Sequence, residues 1–208
     1  MIPLTTNLQK KGMTMNEIIR HAMQEGIELR QHCLEQLNNE LLAANALMVS
    51  SLRQGGKILA CGNGGSAADA QHFAGELVNR FEVNRPGLAA VAMTHDASVI
   101  TSIANDFSFD DVYARQVEAL GRPGDVLLAI STSGNSTNVL KAVDAAARKH
   151  MPCVALSGGH GGALAEHSAV DVSLCIPHPS TPRIQEMHIT CLHIICSLID
   201  HTMFGENS

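Results

Sequence analysis

The sequence has 208 residues, of which 45% are hydrophobic, and a formal net charge of −6. This length and composition suit one folded domain with a full-sized core. No segment carries a basic stripe, and the chain has no tryptophan and one tyrosine. Direct binding of nucleic acid and stacking of bases are therefore both disfavoured.

The six cysteines form no CxxC pair, and most of them lie in apolar surroundings. Such cysteines behave as small hydrophobic residues, and their pattern favours reduced thiols. The first residues lack an apolar signal core, and no run approaches the roughly 20 apolar residues of a membrane span. We therefore expect a cytoplasmic protein without membrane contact.

The N-terminal quarter of the chain is predicted to be helical. We expect residues 1–14 to be a flexible extension and residues 15–208 to be a single domain. Within 15–54, apolar side chains recur with helical spacing, proline is absent and Gly26 is the only glycine. We predict two helices that meet near 37–39 and serve packing or oligomerisation.

From residue 55 onward, apolar strands alternate with helices. The predicted strands are 57–61, 88–93, 125–131, 152–157 and 170–176. The predicted helices are 66–81, 98–105, 110–120, 136–150, 162–166 and 184–204. Each strand is a continuous apolar run, which is typical of a parallel sheet covered on both faces. The sequence therefore predicts an α/β fold with a doubly wound, five-stranded parallel sheet and an N-terminal helical extension.

Two short loops that are rich in glycine and hydroxyl groups follow the first and third predicted strands. The first loop consists of Asn63, Gly64, Gly65 and Ser66, and the second of Ser131, Thr132, Ser133, Gly134, Asn135 and Ser136. Backbone N–H groups and hydroxyls at a helix N-terminus bind anions. The carboxyl ends of parallel strands are also where such ligands bind. Together the loops predict a phosphate-bearing ligand.

The two loops differ in how specific this signal is. The second loop carries four hydroxyls, whereas a helix cap needs one, so we interpret it as the phosphate site. The first loop on its own is also explained as a plain turn with Ser66 as N-cap. It lacks both a Walker-type lysine and a GxGxxG pattern, which disfavours nucleotides. The glycine-rich loop at 158–162 is expected to be mobile, with His160 exposed.

Four polar side chains on two predicted helices are candidates for a metal site. His72 and Glu76 are four residues apart, so they project from one face and suit Zn²⁺ or a similar divalent ion. An ordinary hydrogen bond between them explains the same spacing. In the last helix, Gln185 and His193 share one ridge and are placed to converge on that pair. His188, on another face, is a second ligand, a substrate contact or a core histidine.

Two further positions are candidates for the site. Asn105 and Asp106 follow a short apolar helix and form either a substrate contact or an ordinary turn. Arg80 lies one turn beyond Glu76, where it either neutralises a phosphate or pairs with that carboxylate.

These motifs together resemble the sugar isomerase, or SIS, domain family. The resemblance covers about 15–205 and rests on the two loops, the 72–76 segment, Asn105-Asp106 and the 183–188 segment. It is closest to the branch that isomerises sedoheptulose 7-phosphate. It implies a flavodoxin-like or Rossmann-like three-layer sandwich. It also implies a homotetramer with active sites between subunits and one zinc ion per subunit.

The resemblance also implies roles for individual residues. The implied zinc ligands are His72, Glu76, Gln185 and His193. The implied acid/base pair is Glu76 and His193. The implied substrate contacts are Asn63, Gly64, Gly65, Ser66, Glu76, Asn105, Asp106, Ser131, Thr132, Ser133, Ser136 and Gln185. The implied reaction converts sedoheptulose 7-phosphate to D-glycero-D-manno-heptose 7-phosphate through an enediol or enediolate, for the heptose of the lipopolysaccharide core.

Two other functions fit the same resemblance. One is a non-catalytic SIS adaptor that binds the bacterial replication initiator, since residues 111–117 and 183–188 also look like that branch. The other is a regulatory domain that senses a sugar phosphate without turnover. In the adaptor branch, the positions of Glu76 and His193 are not acidic and imidazole. Because this chain has both groups, the enzyme is the favoured interpretation.

Overall fold

The computed structural model describes residues 12–205. Its helices are α1 (Met15–Gln36), α2 (Asn38–Arg53), α3 (Gly65–Val78), α4 (Ala97–Asp106), α5 (Ala114–Leu120), α6 (Thr137–Arg148), α7 (Gly162–Ala165) and α8 (Thr181–Phe204). Its strands are β1 (Ile58–Gly62), β2 (Ala90–Ala92), β3 (Val126–Ser131), β4 (Cys153–Gly158) and β5 (Val172–Ile176), and a 3₁₀ turn spans Phe109–Asp111. The alternation predicted from the sequence is confirmed.

The first helix begins at a capping box. The Thr14 hydroxyl accepts the N–H of Glu17, and the Glu17 carboxylate accepts the N–H of Thr14 at 2.7 Å. Leu37 separates α1 from α2, which confirms two helices meeting at 37–39. Residues 12–14 precede the helix, and the rest of the predicted extension, 1–11, lies outside the described residues.

The sheet has five parallel strands in the order β2-β1-β3-β4-β5. This is the doubly wound order of flavodoxin-like folds, whose ligands bind at the carboxyl edge of the sheet. Strands β1, β3 and β4 are buried at every position, as their continuous apolar runs predict. The edge strand β5 instead alternates between buried and half-buried residues. The other edge strand, β2, is likewise only partly buried, while the helices of two hydrophobic clusters cover both faces of the sheet as predicted.

Two hydrophobic clusters lie on the two faces of the sheet. One packs Ile58, Leu128 and other residues of that face against α1, α2, α3 and α8. The other packs Leu59, Leu127 and their neighbours against α5, α6 and α7, with α4 at its margin. Helices α3 and α8 consequently lie beside each other on one face, which is the arrangement that builds the candidate site.

Helix α8 is the one helix in the described part of the chain that is long and apolar enough to span a membrane. Its most apolar window is 44% buried inside the fold. Residues such as Leu192 and Ile195 are fully buried in the cluster with α2 and α3. Packing in the core accounts for the apolar character of this helix.

Several predicted helices have different bounds in the structure, and α3, predicted to reach residue 81, ends at Val78. The predicted helix 110–120 is split, because the Ser108 hydroxyl accepts the N–H of Asp110 and caps a separate 3₁₀ turn. Lys141 holds the same turn through Asp111 at 2.8 Å, and α5 begins only at Ala114. Helix α8 begins three residues earlier than predicted. Its proline lies in the first turn, where a missing N–H costs no helical hydrogen bond.

Candidate active site

Three side chains from α3 and α8 form a cluster. The Nε2 atom of His72 lies 2.9 Å from Oε1 of Glu76 and 3.2 Å from Nε2 of His193. One nitrogen or oxygen from each residue lies within 4.8 Å of the others. His72 and His193 are 121 positions apart in sequence. The predicted convergence of α3 and α8 therefore occurs for these three residues.

The donor atoms of the cluster are of the types that a zinc ion takes. Two imidazoles and one carboxylate form a ligand set that leaves a fourth position open for water or substrate. The His72 and Glu76 side chains are 45% and 28% exposed, so the cluster opens to solvent. The ring of Phe81 stacks on His193 with centroids 5.6 Å apart. These residues fit a zinc ion, with one face free for a ligand.

Gln185 lies elsewhere on α8. It precedes His193 by eight residues, which is a rise of roughly 12 Å along the helix. Its amide packs against Gly65, where the Cβ of any larger residue would overlap it. Within one chain, the side chain of Gln185 thus lies against the first loop, where a substrate contact was predicted. Its predicted role as a metal ligand stays a prediction.

The first loop is held by a network that the sequence did not predict. The amides of Asn63 and Asn138 donate to each other's oxygens, both at 2.8 Å. The Tyr113 hydroxyl donates to the Gly62 carbonyl at 2.5 Å and lies 3.3 Å from Oδ1 of Asn63. Both the Nδ2 and the Oδ1 atoms of Asn63 therefore form hydrogen bonds within the protein. The sequence features that point to this network are an asparagine on an apolar helix face and the single tyrosine.

The glycines of the first loop form the N-terminus of α3, which lies at the carboxyl edge of the sheet. Gly64 has φ 56° and ψ −120° at the N-cap position, a conformation that favours glycine. Ser66 is buried inside the first turn and donates its N–H to the Asn63 carbonyl. Ser66 is therefore not the N-cap. Gly64 and Gly65 are exposed, and the N–H groups of a first helical turn have no partner within the helix.

The second loop keeps its hydroxyls around the N-terminus of α6. The Oγ atoms of Ser131 and Ser136 are 3.0 Å apart, and Ser136 occupies the N-cap position without a capping hydrogen bond. Ser133 is exposed, and its Oγ accepts the N–H of Asn135 at 3.2 Å. Thr132 is half-buried. The arrangement offers hydroxyls and a helix N-terminus to an anion, and the role of this loop as the phosphate site stays a prediction.

The glycine-rich segment that follows β4 supports this second loop. Gly134 has φ 66°, and its carbonyl accepts the N–H of Leu164 at 2.9 Å. A Cβ at position 134 would overlap the carbonyl of Gly161. Asn135 accepts the N–H of Ala163 at 3.0 Å. The 158–162 segment, whose composition predicts mobility, is thus packed against the second loop, while His160 is exposed as predicted.

Asn105 and Asp106 end α4 and are both exposed. The amide of Asn105 donates to Oδ1 of Asp106 at 2.9 Å. Within residues 12–205, no hydrogen bond joins either side chain to the two loops or to the cluster, so their substrate role stays a prediction.

Arg80 donates to the Phe81 carbonyl at 3.4 Å and forms no ion pair with Glu76 in this part of the chain.

His188 is a core histidine. Its side chain is fully buried, and Nε2 donates to the Ser157 carbonyl at 3.0 Å. Burial lowers its pKa to about 4, so the ring is neutral at physiological pH. Of the three roles that the sequence left open for His188, the structure supports the third.

Asp69 lies next to the cluster on α3 and is not among the residues predicted for the site. It precedes His72 by three residues on α3, and its Oδ2 is buried with no hydrogen-bond partner among the described residues. Burial raises its pKa to about 6, while the charge of a protonated His72 opposes that shift. The spacing of Asp69, His72 and Glu76 along one helix face is the signal that would have found it.

Comparison with known proteins agrees with this geometry. A model of the SIS domain family matches residues 23–158. The phosphoheptose isomerase of Thiobacillus denitrificans is 62% identical over 160 residues, covering 76% of this chain and 81% of that protein. The phosphoheptose isomerase of Methylibium petroleiphilum is 50% identical over 196 residues, covering 94% and 98% respectively.

A solved structure is similar over nearly the same span. The phosphoheptose isomerase of Neisseria gonorrhoeae is 49% identical, with a TM-score of 0.85, and the match covers 90% of this chain and 99% of that one. The chain therefore belongs to the SIS domain family. Within that family its similarity over almost its whole length is to the phosphoheptose isomerase branch.

Proposed function

We propose that this protein is a zinc-dependent aldose–ketose isomerase. It converts sedoheptulose 7-phosphate to D-glycero-D-manno-heptose 7-phosphate for the heptose of the lipopolysaccharide core. The observation that carries the proposal is the His72, Glu76 and His193 cluster, which provides proton-transfer groups and a zinc ligand set on a fold with two anion-binding loops. The name shared by the similar proteins supports the same reaction.

The second loop is the proposed anchor for the phosphate. Ser133 and Thr132 supply hydroxyls there, and the N-terminus of α6 supplies a favourable dipole. The two loops are neighbours at the carboxyl edge of the sheet, since Gly62 of β1 pairs with Ile130 of β3. The cluster lies further along α3 than the first loop, because the six residues from Ser66 to His72 rise by roughly 9 Å. A substrate that reaches from the loops to the cluster must carry its phosphate far from its reacting carbons. A 7-phosphate does so relative to C1 and C2.

Glu76 is the proposed base for the proton that moves between C1 and C2. Its Oε1 contacts His72, and no hydrogen bond from the described residues uses Oε2. That second oxygen is free to take the C1 proton of the ketose and return it at C2 of the enediol. A base must approach the proton within about 3 Å, directly or through one water.

His193 is the proposed partner that moves a proton at the neighbouring oxygen. Its Nε2 is the nitrogen that faces His72, so the ring transfers a proton through that atom only while it holds no metal there. Stacking against Phe81 limits rotation of the ring. When bound, zinc supplies a positive charge that polarises the substrate carbonyl.

We also propose a homotetramer with active sites between its subunits. An unusually apolar surface on α1 supports association. Met15, Met23 and Leu34 are each at least 70% exposed there, and Ile19 and Ile27 are more than half exposed. A contiguous apolar surface of this kind marks an interaction site.

The six free cysteines, five of them buried, support a reducing, cytoplasmic location.

Turnover of sedoheptulose 7-phosphate by purified protein tests the proposal. We expect an aldose phosphate to form, activity to disappear after chelation, and activity to return with Zn²⁺. Absence of turnover in metal-loaded tetramer would contradict the proposal. Binding of the sugar phosphate without conversion would then indicate the sensor. Binding of the replication initiator, unchanged in Glu76→Gln, would indicate the adaptor.

A further inference from the structure

The segment between α3 and β2 crosses α8 on the side of the cluster and is fastened there by Asp200. Asp200 follows His193 by seven residues, so the two lie on the same face of α8, two turns apart. Its carboxylate accepts the N–H groups of Glu82 and Val83 at 3.2 and 3.4 Å. It also accepts Nε of Arg85 at 2.5 Å.

The guanidinium of Arg85 reaches back to the end of α3. Its Nη2 donates to the Glu76 carbonyl and its Nη1 to the Leu77 carbonyl, both at 2.9 Å. The last carbonyls of a helix have no partner within the helix. A cation at this end also complements the helix dipole. Both side chains are buried, at 0% exposure for Arg85 and 3% for Asp200.

The pair thus joins the two helices that carry the cluster. Glu76 contributes its carbonyl to Arg85 and its carboxylate to the cluster, so one residue belongs to both arrangements. Phe81, in the same segment, lies against the ring of His193. The segment therefore contacts both helices of the cluster, α3 at its C-terminal end and α8 at His193 and Asp200.

We propose that Arg85 and Asp200 are positioning residues that set the spacing of α3 and α8, so that the donor atoms of His72, Glu76 and His193 converge. The inference rests on the metal-dependent isomerase proposed above and adds the pair that holds its ligands in place. Lysine is a poor substitute for Arg85, because one ammonium lacks the planar fork that bonds Asp200 and two carbonyls together.

The chain offers a closely matched control for a test of this pair. Asp125 is also 3% exposed, and it accepts Nζ of Lys57 at 2.5 Å. It accepts two backbone N–H groups as well, those of Lys57 and Arg122, each at 2.9 Å. This second pair precedes β1 and β3, at the amino edge of the sheet, away from the cluster. Asp125→Asn therefore removes an equivalent buried charge without touching α3 or α8.

The first measurement is the zinc affinity of metal-stripped protein, determined by competition with a chromophoric chelator. We expect Asp200→Asn to weaken the affinity at least about tenfold, as loss of an outer support of metal ligands does. We expect Asp125→Asn to stay within about twofold of the wild type. Equal affinities of the wild type, Asp200→Asn and Arg85→Lys would overturn the inference.

Arg85→Lys keeps the test decisive if Asp200→Asn does not fold, because it retains the buried charge. A crystal structure of metal-free Arg85→Lys supplies a readout that needs no zinc. We expect the 3.2 Å between Nε2 of His72 and Nε2 of His193 to change by more than about 0.5 Å, the tolerance of a functional site. An unchanged spacing refutes the inference. Failure of the wild type to bind zinc would instead refute the proposed cofactor.

Discussion

Replacing Glu76 by glutamine is expected to remove turnover while leaving the stability of the fold nearly unchanged. The substitution keeps the size of the side chain and removes its charge. The side chain is 28% exposed and, among residues 12–205, makes one hydrogen bond, to His72 four residues earlier on the same helix. Such a pair stabilises a helix by only about 0.2–0.5 kcal/mol. We therefore expect a folded protein whose unfolding free energy changes by less than about 1 kcal/mol.

The same substitution is expected to remove nearly all turnover. A positioned general base contributes about 10²–10⁴ to the rate, so kcat for sedoheptulose 7-phosphate should fall by at least about a hundredfold. The assay follows aldose phosphate formation at saturating substrate, with bound zinc measured on the same samples. Glu118→Gln is the control, since Glu118 is also a helical glutamate in one ion pair, with Arg148 at 3.1 Å. A zinc-loaded Glu76→Gln enzyme with most of its activity would refute the assignment of the base.

Three further predictions concern the second loop and the core. Ser133→Ala should mainly raise KM, because phosphate anchoring is largely uniform binding; a large fall in kcat with KM unchanged would contradict this. Gly134→Ala should destabilise the protein more than Gly124→Ala, as seen by denaturant titration. Both have positive φ, which costs roughly 1–2 kcal/mol, but only position 134 meets a carbonyl. His188 has a pKa near 4, below its usual 6.5. The unfolded chain therefore binds more protons between these values, and the wild type should lose stability relative to His188→Gln as pH falls from 6.5 toward 4. Parallel pH profiles would show that His188 does not titrate in this way.

The sequence by itself determined those features that depend on neighbours along the chain. Apolar runs of strand length and helical spacing follow from backbone geometry, so the order of strands and helices was predictable. The pairing of His72 with Glu76 is equally local, because residues four apart on a helix face the same point. The composition of the Ser131–Ser136 loop likewise predicts an anion site before any packing is known.

Only the tertiary structure decided which distant residues meet. His193 reaches His72 because α3 and α8 pack on one face of the sheet, whereas Gln185, on the same ridge, lies against Gly65 instead. The Asn63–Asn138 amides and the Arg85–Asp200 pair likewise join segments 75 and 115 residues apart. Sequence periodicity states which face of a helix is apolar, but not which neighbour it packs on or at what offset. That offset is set by the volumes of the side chains that fill the core.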